Sequence, residues 1–227
     1  MSETEAHVEA RREAAPIVGI AFLLLVLLAL VSRREGWELL HHLHWWAWLL
    51  LAVPELFLIL DFFLRESGAA GMKSRRYVIV SLGFLVVGNV TALAILVYAL
   101  VTTSTSQLGG GELLLTAAVI WSTNVIVFGI WFWEVDLGGP VERALQPRRE
   151  KPDFEFPQDD NRDVMRDGWY PRLWDYLYVS LTNSIAFSPT DAMPLTRQAK
   201  LLMGLESAIS VVTVLLVAAR AVNVLAA

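Results

Sequence analysis

Five long runs of apolar residues constrain the fold of this chain more than any other feature of its sequence. A helix rises about 1.5 Å per residue, so about 20 apolar residues cross the ~30 Å hydrocarbon core of a bilayer. The runs cover residues 14–32, 45–64, 77–101, 113–133 and 197–225. With 56% hydrophobic residues, the chain has more apolar surface than a soluble domain of its size can bury. We therefore expect an integral membrane protein in contact with a lipid bilayer.

A sixth apolar segment, residues 173–187, is too short to cross in the same way. It would span about 22 Å as a helix, and Pro189 and Pro194 follow it. These features favour a re-entrant helix, whereas a full crossing would give six spans with both termini in the cytoplasm. The predicted fold class is an all-α integral membrane protein with about five transmembrane helices plus a short re-entrant pore-type helix.

The apolar runs divide the chain into three regions. Residues 1–134 form an N-terminal four-helix membrane region, 135–170 a hydrophilic linker, and 171–227 the short helix plus the final span. The linker is charged and contains several prolines, so it is expected to follow the surface irregularly without a core of its own. The first run follows Arg11 and Arg12, as in a signal peptide, but several glutamates precede it, and we expect it to remain as a span.

Composition argues against several classes of function. The net charge of −5 offers no basic surface for a nucleic acid. The chain has no cysteine, so it has no disulfide, thiolate metal site or cysteine nucleophile. His41 and His44 could share a helix face, but two histidines without another ligand are a weak metal signal. No hydrolase, P-loop or zinc-protease pattern occurs, and we expect no enzyme activity, metal or cofactor.

One segment, residues 175–196, reads DYLYVSLTNSIAFSPTDAMPLT. Its opening order Asp-x-Leu-Tyr-x-Ser-Leu-Thr resembles the pore helix of two-span potassium channels. Asp191 matches the acid that follows the selectivity filter of that family, and Pro194 and Thr196 match the Pro and Thr beyond it. The resemblance extends through the final run and covers about the last 55 residues of the chain. It implies a homo-tetramer with the pore loop at its axis and ions as ligands.

The filter itself departs from the family pattern. Where potassium channels have Thr-Val-Gly-Tyr-Gly, this chain has Ala186, Phe187, Ser188, Pro189 and Thr190. Potassium selectivity depends on consecutive backbone carbonyls facing the axis, a path that glycines make accessible. The proline has a fixed φ and the threonine is β-branched, so neither readily takes that path. We expect these residues to line or plug a constriction that is not potassium-selective, with Asp191 as the charge at its mouth.

Two further residues are predicted to support this loop. Glu206 in the last span occupies a position shared with channel inner helices, and a charged side chain at that depth is costly unless it has a partner. We expect Glu206 to brace the pore-type helix through Ser184 or Thr182. Coordination of an ion by Glu206 is the alternative.

Three polar residues in the other spans are candidates for intramembrane function. Glu55 follows Pro54 inside the second run, where a kink would free a carbonyl. An inter-span hydrogen bond and a role in ion or proton passage are equally open for Glu55. Asn89 and Asn124 are expected to form hydrogen bonds between helices.

A second resemblance concerns a bacterial family of uncharacterised membrane proteins with similar length and layout. It rests on Phe-Glu-Phe-Pro at 154–157, Trp-Asp-Tyr-Leu-Tyr at 174–178, and the Ser/Thr-rich turn that ends at Asp191. Those proteins also lack the glycine filter. The resemblance implies the inner membrane of a bacterium and no particular activity.

Orientation and function remain open at this stage. Four Lys or Arg lie in 65–76 and none in 102–112, so the positive-inside rule puts the former loop, the N-terminus and the linker in the cytoplasm. The channel resemblance puts the linker outside. The leading hypothesis is a pore for ions or small polar solutes without potassium selectivity. The alternative is a non-conducting membrane scaffold or regulatory subunit that keeps the pore fold for packing.

Overall fold

The described part of the chain is almost entirely helical. A computed structural model describes residues 2–37, 44–64, 72–102, 110–145, 151–160, 169–186 and 191–225. Its helices, numbered along the chain, are α1 (Glu3–Glu35), α2 (Trp46–Leu51), α3 (Val53–Leu64), α4 (Met72–Thr102), α5 (Gly110–Val135), α6 (Pro140–Leu145), α7 (Pro157–Asp160), α8 (Leu173–Ala186) and α9 (Arg197–Leu225). A short 3-10 turn, Asp136–Gly138, follows α5. Two short strands, β1 (Phe154–Glu155) and β2 (Met193–Pro194), complete the elements.

Four of these helices are long and apolar enough to cross a membrane. The corresponding stretches are Glu3–Glu35, Val78–Tyr98, Gly111–Gly138 and Arg197–Ala219. The third continues from α5 through the 3-10 turn. The first is longer than its apolar run because the polar residues before it continue the helix from a capping box, in which Ser2 and Glu5 exchange hydrogen bonds with each other's backbone N–H. An integral membrane protein is therefore the class that the described helices support.

The run predicted as the second span is divided in two. α2 ends at Leu51, α3 begins at Val53, and Ala52 lies between them. Pro54 lacks a backbone N–H and cannot continue the hydrogen bonding of α2 into α3. The structure therefore has two consecutive helices, α2 and α3, where the sequence predicts one span over 45–64.

α5 is the central helix of the bundle and packs against α1, α4, α8 and α9. Its side chains Phe128 and Phe132 are fully buried. Gly129 allows α8 to come close, because a Cβ at this position would lie 2.7 Å from Leu177 Cδ2 and 3.1 Å from its Cα. The backbones of α5 and α8 therefore approach each other closely at Gly129, and a side chain there would push the two helices apart.

α8 runs back along α5 in the opposite direction. Tyr176, near the start of α8, donates a hydrogen bond to Asp136 just beyond the end of α5. One turn further along α8, the Ser180 hydroxyl lies 2.7 Å from the carbonyl oxygen of Val125. The contacts of α8 thus move from the end of α5 towards its middle.

The chain that follows α8 returns to the end of α5. β2 pairs with β1 in an antiparallel two-stranded sheet, with Phe154 opposite Pro194. The Thr196 hydroxyl donates a hydrogen bond of 2.5 Å to Asp153 Oδ1, and the Asp153 backbone N–H in turn donates to Asp136. The start of α8 and the start of α9 therefore lie at the same end of α5.

The linker differs from the irregular surface segment that the sequence predicts. Its described residues form α6, β1 and α7, and the side chains of Phe154 and Phe156 are fully buried. The two rings pack edge-on against Tyr176, at 6.1 and 5.3 Å between centroids. The linker cannot build its own core, but its alternating phenylalanines reach the apolar space between α5 and α8. Phe154 and Phe156 therefore belong to the core of the bundle.

The beginning of α1 also lies at this end of the bundle. Arg172, just before α8, forms an ion pair of 2.8 Å with Glu9, and the backbone N–H of Leu173 donates to Glu13 Oε2 at 2.9 Å. Near the start of α4, Arg75 donates to the carbonyl oxygen of Glu134 at 2.9 Å. The N-terminal end of α1, the start of α4, the linker and the start of α8 share one end.

Candidate functional site

A buried glutamate joins α8 to α9. Glu206 on α9 is 0% exposed. Its Oε1 accepts a hydrogen bond from the Ser180 hydroxyl, and its Oε2 accepts one of 2.6 Å from Asn183 Nδ2. Ser180 and Asn183 are three residues apart on α8 and so share one helix face. Both carboxylate oxygens therefore have donors on α8.

The same polar cluster extends to α5 and ties three helices together. Asn124 on α5 donates from Nδ2 to Ser210 Oγ at 3.0 Å, one turn beyond Glu206 on α9. Asn183 also donates to the carbonyl oxygen of Met203 at 3.0 Å. We call Asn124, Ser180, Asn183, Glu206 and Ser210 the buried polar cluster. All five side chains are buried. A buried donor or acceptor without a hydrogen-bond partner destabilises the fold, so the bonds within the cluster are needed.

The partners of Glu206 on α8 differ from those that the sequence predicts. Thr182 donates to the carbonyl oxygens of Tyr178 and Val179 in its own helix, at 2.8 and 3.1 Å. Ser184 donates to the carbonyl oxygen of Leu181 at 2.8 Å. Such bonds to the preceding turn are common for Ser and Thr inside helices. Thr182 is also about 200° around the helix from Ser180, so it does not face α9.

The residues predicted to form the constriction are only partly described. Ala186 ends α8 with its side chain exposed, and Asp191 is half-buried at the start of the returning segment. Residues 187–190, which include Phe187, Ser188, Pro189 and Thr190, lie outside the described part of the chain. Burial, followed by the nearby Asp175 carboxylate, raises the pKa of Asp191.

The other predicted intramembrane polar residues lie in two different settings. Asn89 on α4 accepts a hydrogen bond of 3.2 Å from the Thr123 hydroxyl on α5, and Asn124 belongs to the buried polar cluster. Glu55 is separate from both. It is 1% exposed, and neither carboxylate oxygen has a hydrogen-bond partner among the residues that the structure describes.

A second group of polar residues, at the linker end of α5, has no counterpart among the sequence predictions. Asp136 is fully buried. Its Oδ1 accepts hydrogen bonds from the backbone N–H groups of Asp153 and Phe154, at 2.7 and 3.2 Å, and its Oδ2 accepts from the Tyr176 hydroxyl. Charge-assisted bonds of this kind are stronger than neutral ones. Asp136 thereby attaches both β1 and α8 to the end of α5.

Arg143 in α6 completes this group. It is 2% exposed, and its Nη1 donates to the carbonyl oxygens of Trp133 and Asp136 at 3.0 and 2.8 Å. Its guanidinium carbon lies 4.9 Å from the centre of the Tyr176 ring, within cation–π range. Nothing in the local sequence distinguishes Arg143 from the other charged linker residues. Only its folded position shows that it closes the linker onto α5 and α8.

The site offers hydrogen-bonding groups rather than a metal-binding arrangement. Over the described ranges, no group of three or more His, Cys, Asp or Glu side chains is placed to hold a metal ion. His44 is exposed at the start of the second run, and His41 lies outside the described residues. The chain matches no family model, no curated protein and no solved structure.

Proposed function

We propose that this protein is a pore-loop membrane protein that passes ions or small polar solutes without potassium selectivity. In this proposal α2 and α3 together form one span, α1, α4, α5 and α9 form the other four, and α8 is a re-entrant helix. The resemblance to two-span potassium channels and the location in a bacterial inner membrane are parts of the same proposal.

The course of the chain around α8 is the observation that carries the proposal. Tyr176 contacts Asp136 before α8 descends along α5, and Pro194 pairs with Phe154 beside Asp136 after it. A segment that enters and returns at one end of a bundle has the layout of a pore loop. Non-helical backbone at membrane depth is tolerated where it is buried in protein or lines a water-filled cavity.

The buried polar cluster supports the same proposal. A loop that lines a constriction must be held in place by its surroundings. Glu206 holds α8 through Ser180 and Asn183, and both donors precede the loop by less than two helical turns. We assign Glu206 a positioning role, because both of its oxygens already have partners on α8.

A row of exposed apolar residues on α8 supports assembly from several copies. Its members are Trp174 (65% exposed), Tyr178 (52%), Leu181 (37%) and Ile185 (60%). They are spaced four, three and four residues apart and so form one face of the helix. The row runs directly into Ala186 and the loop. Neighbouring copies would cover it when their loops meet at a common axis, which in a channel-like arrangement is fourfold.

Ion flux in liposomes tests the proposal. The purified protein should conduct at least one of K⁺, Na⁺, H⁺ and Cl⁻, and Phe187→Gly and Asp191→Asn should change the rate or the selectivity. Glu142→Gln is the matched control, because it removes one negative charge from an exposed side chain of α6 away from the loop. Silence towards all four ions would favour the scaffold. A monomer or dimer in mild detergent would argue against a fourfold pore.

The pH dependence of the flux separates Asp191 from other acids. Because burial and Asp175 raise the pKa of Asp191, its charge is lost at a higher pH than that of an ordinary aspartate. Cation flux should fall as the pH drops through this raised pKa. The fall should vanish in Asp191→Asn and persist in Glu142→Gln. An unchanged pH profile in Asp191→Asn would remove Asp191 from the pore mouth.

A further inference from the structure

A second buried glutamate lies outside the buried polar cluster. Glu55 occupies the first turn of α3, immediately after the break at Ala52 that separates α3 from α2. α3 packs against α1, α2 and α4, whereas the buried polar cluster joins α5, α8 and α9. The two glutamates therefore belong to different parts of the bundle.

The two glutamates are equally buried and differently partnered. Glu206 is 0% exposed and Glu55 is 1% exposed. Glu206 has a hydrogen-bond donor at each oxygen. At Glu55 neither oxygen has one within the described ranges. An isolated ionised carboxylate is among the costliest groups to bury.

The helices around Glu55 bring no counter-charge to it. α1 has no charged residue between Glu13 and Arg33, and α2 has none. α4 has no titratable residue between Tyr77 and Tyr98. Asp61 is the other acid of α3, six residues further along, and its side chain lies outside the described set. With no cation facing it among the residues that the structure describes, burial favours the neutral, protonated carboxyl.

Local backbone structure makes release of that proton accessible. The N-terminal turn of a helix favours negative charge, and the backbone N–H of Glu55 lies beside its own carboxyl without the geometry of a hydrogen bond. A rotation of the Glu55 side chain would bring the two into contact and stabilise the carboxylate. Burial thus favours the neutral carboxyl of Glu55, whereas the helix terminus favours its carboxylate.

We propose that Glu55 is a proton-binding site, a buried acid in the first turn of α3 that is neutral in this bundle and exchanges a proton. A proton fits better than a metal cation, because a cation in such a site needs several oxygen ligands. The proposal does not depend on the pore, since it concerns helices that do not contribute to the loop.

Dicyclohexylcarbodiimide is the probe for this site. This apolar reagent takes up the proton of a buried carboxylic acid while the carboxylate oxygen bonds to its central carbon. The O-acyl adduct then rearranges to a stable N-acylurea, so the glutamate gains the whole reagent and nothing leaves. Mass spectrometry of the protein in liposomes, labelled between about pH 5 and about pH 9, reports which glutamate reacts.

Glu206 in the same molecule is the matched control. We expect Glu55 to be labelled several-fold faster than Glu206, with labelling that falls as the pH rises and disappears in Glu55→Gln. A water-soluble carbodiimide should label Glu55 poorly, because the site is closed to solvent. As a second readout, the infrared carboxylic-acid C=O band of the wild type should be reduced in Glu55→Gln.

Three results would overturn the proposal, and all are measured on the wild-type protein. The first is that Glu55 stays unlabelled at every pH in liposomes yet reacts after denaturation. The second is that Glu55 reacts no faster than Glu206. Protection by Na⁺ or Li⁺ but not by choline would show that the site holds a cation instead of a proton. Protein that passes no ions is equally suitable for the assay, so failure of the proposed function leaves this test intact.

Discussion

Asn183 on α8 donates a hydrogen bond of 2.6 Å to Glu206 on α9. Because both side chains are buried, neither can exchange this bond for one with water. The bond fixes the position of α8 relative to α9 three residues before α8 ends at Ala186. It also helps to hold the 14-residue helix α8 in place along the bundle.

The first prediction concerns replacement of Glu206. In Glu206→Gln the new amide can accept from Asn183 and donate to Ser180, whose hydroxyl still has the Val125 carbonyl as an acceptor. We expect the free energy of unfolding to change by less than about 1 kcal/mol. Glu206→Ala should lower it by about 2 to 4 kcal/mol, because it leaves a cavity and removes the acceptor of two buried donors.

Thermal unfolding in mild detergent, followed by tryptophan fluorescence, checks both variants. Ser207→Ala, one residue further along α9, is the control and should leave the midpoint unchanged. A large loss in Glu206→Gln would show that the charge itself is needed. Altered ion flux in Glu206→Gln at unchanged stability would move Glu206 from positioning to ion coordination.

The second prediction concerns the attachment of α8 to α5. Tyr176→Phe removes the hydroxyl that bonds to Asp136 and keeps the ring under Arg143. Asp136 retains its two backbone donors. We expect a loss of about 1 to 2 kcal/mol in the free energy of unfolding.

Tyr178→Phe is the matched control, because this side chain lies two residues away and is exposed. It should change stability by less than about 0.5 kcal/mol. Equal effects of the two variants, measured by the same thermal unfolding assay, would mean that the Asp136 bond contributes little to holding α8.

The third prediction uses the close approach of α5 and α8. Gly129→Ala would place a Cβ 2.7 Å from Leu177 Cδ2 and 3.1 Å from its Cα, so the helices must separate. We expect a loss of about 1 to 3 kcal/mol in the free energy of unfolding, as in other overpacked cores.

Gly83→Ala on α4 is the same substitution in a helix with room for it, since the nearest atom outside its own helix would lie 3.9 Å away. It should be neutral or should stabilise the helix by up to about 1 kcal/mol. Similar unfolding midpoints for the two variants would contradict the contact between α5 and α8.

The fourth prediction concerns the sides of the membrane. The N-terminal end of α1, the start of α4 and the linker lie at one end of the bundle. Arg172 forms an ion pair with Glu9, and Arg75 donates a hydrogen bond to the carbonyl oxygen of Glu134. The chain has no cysteine, so single-cysteine variants can be labelled without background. Cysteines at Arg12, Arg76 and Glu142, all exposed, should react with an impermeant maleimide on the same side.

A cysteine at Glu35 should react on the opposite side. The basic residues near α1's start and α4's start favour the cytoplasm for the shared end, so its three cysteines should be labelled only after cells are opened. Labelling of all three on intact cells would instead give the orientation that the channel resemblance implies. A split among the three would contradict the arrangement of one re-entrant helix and five spans.

The bounds of some helices match the apolar runs predicted from the sequence, and those of others do not. α9 has the bounds predicted for the last span, and α8 begins at the predicted Leu173. Pro54 predicts a kink in the second run, and the structure has a break two residues earlier, at Ala52. Hydropathy alone gives no sign of it, because it is continuous across 45–64 and reports composition without backbone hydrogen bonding. The predicted count of five spans and one re-entrant helix stays a prediction.

The sequence also predicts one part of the candidate site and misses another. The sequence indicates that Glu206 needs a buried partner, because an acid in an apolar run is costly. It does not indicate which face of α8 presents that partner, since Thr182, Ser184, Ser180 and Asn183 are all polar. The rotation of α8 against α9 selects Ser180 and Asn183.

The sequence alone determines that this protein belongs in a membrane, because the length and apolarity of its runs depend on composition and helix rise alone. It also places an acid in the last run and a short polar-faced helix before it. Only the tertiary structure decides that Glu206 faces α8, that Asp136 bonds to both the linker and α8, and that Glu55 has no hydrogen-bond partner among the described residues. Those outcomes depend on which helix faces meet, and contacts between residues far apart in the chain leave no periodic signal in it.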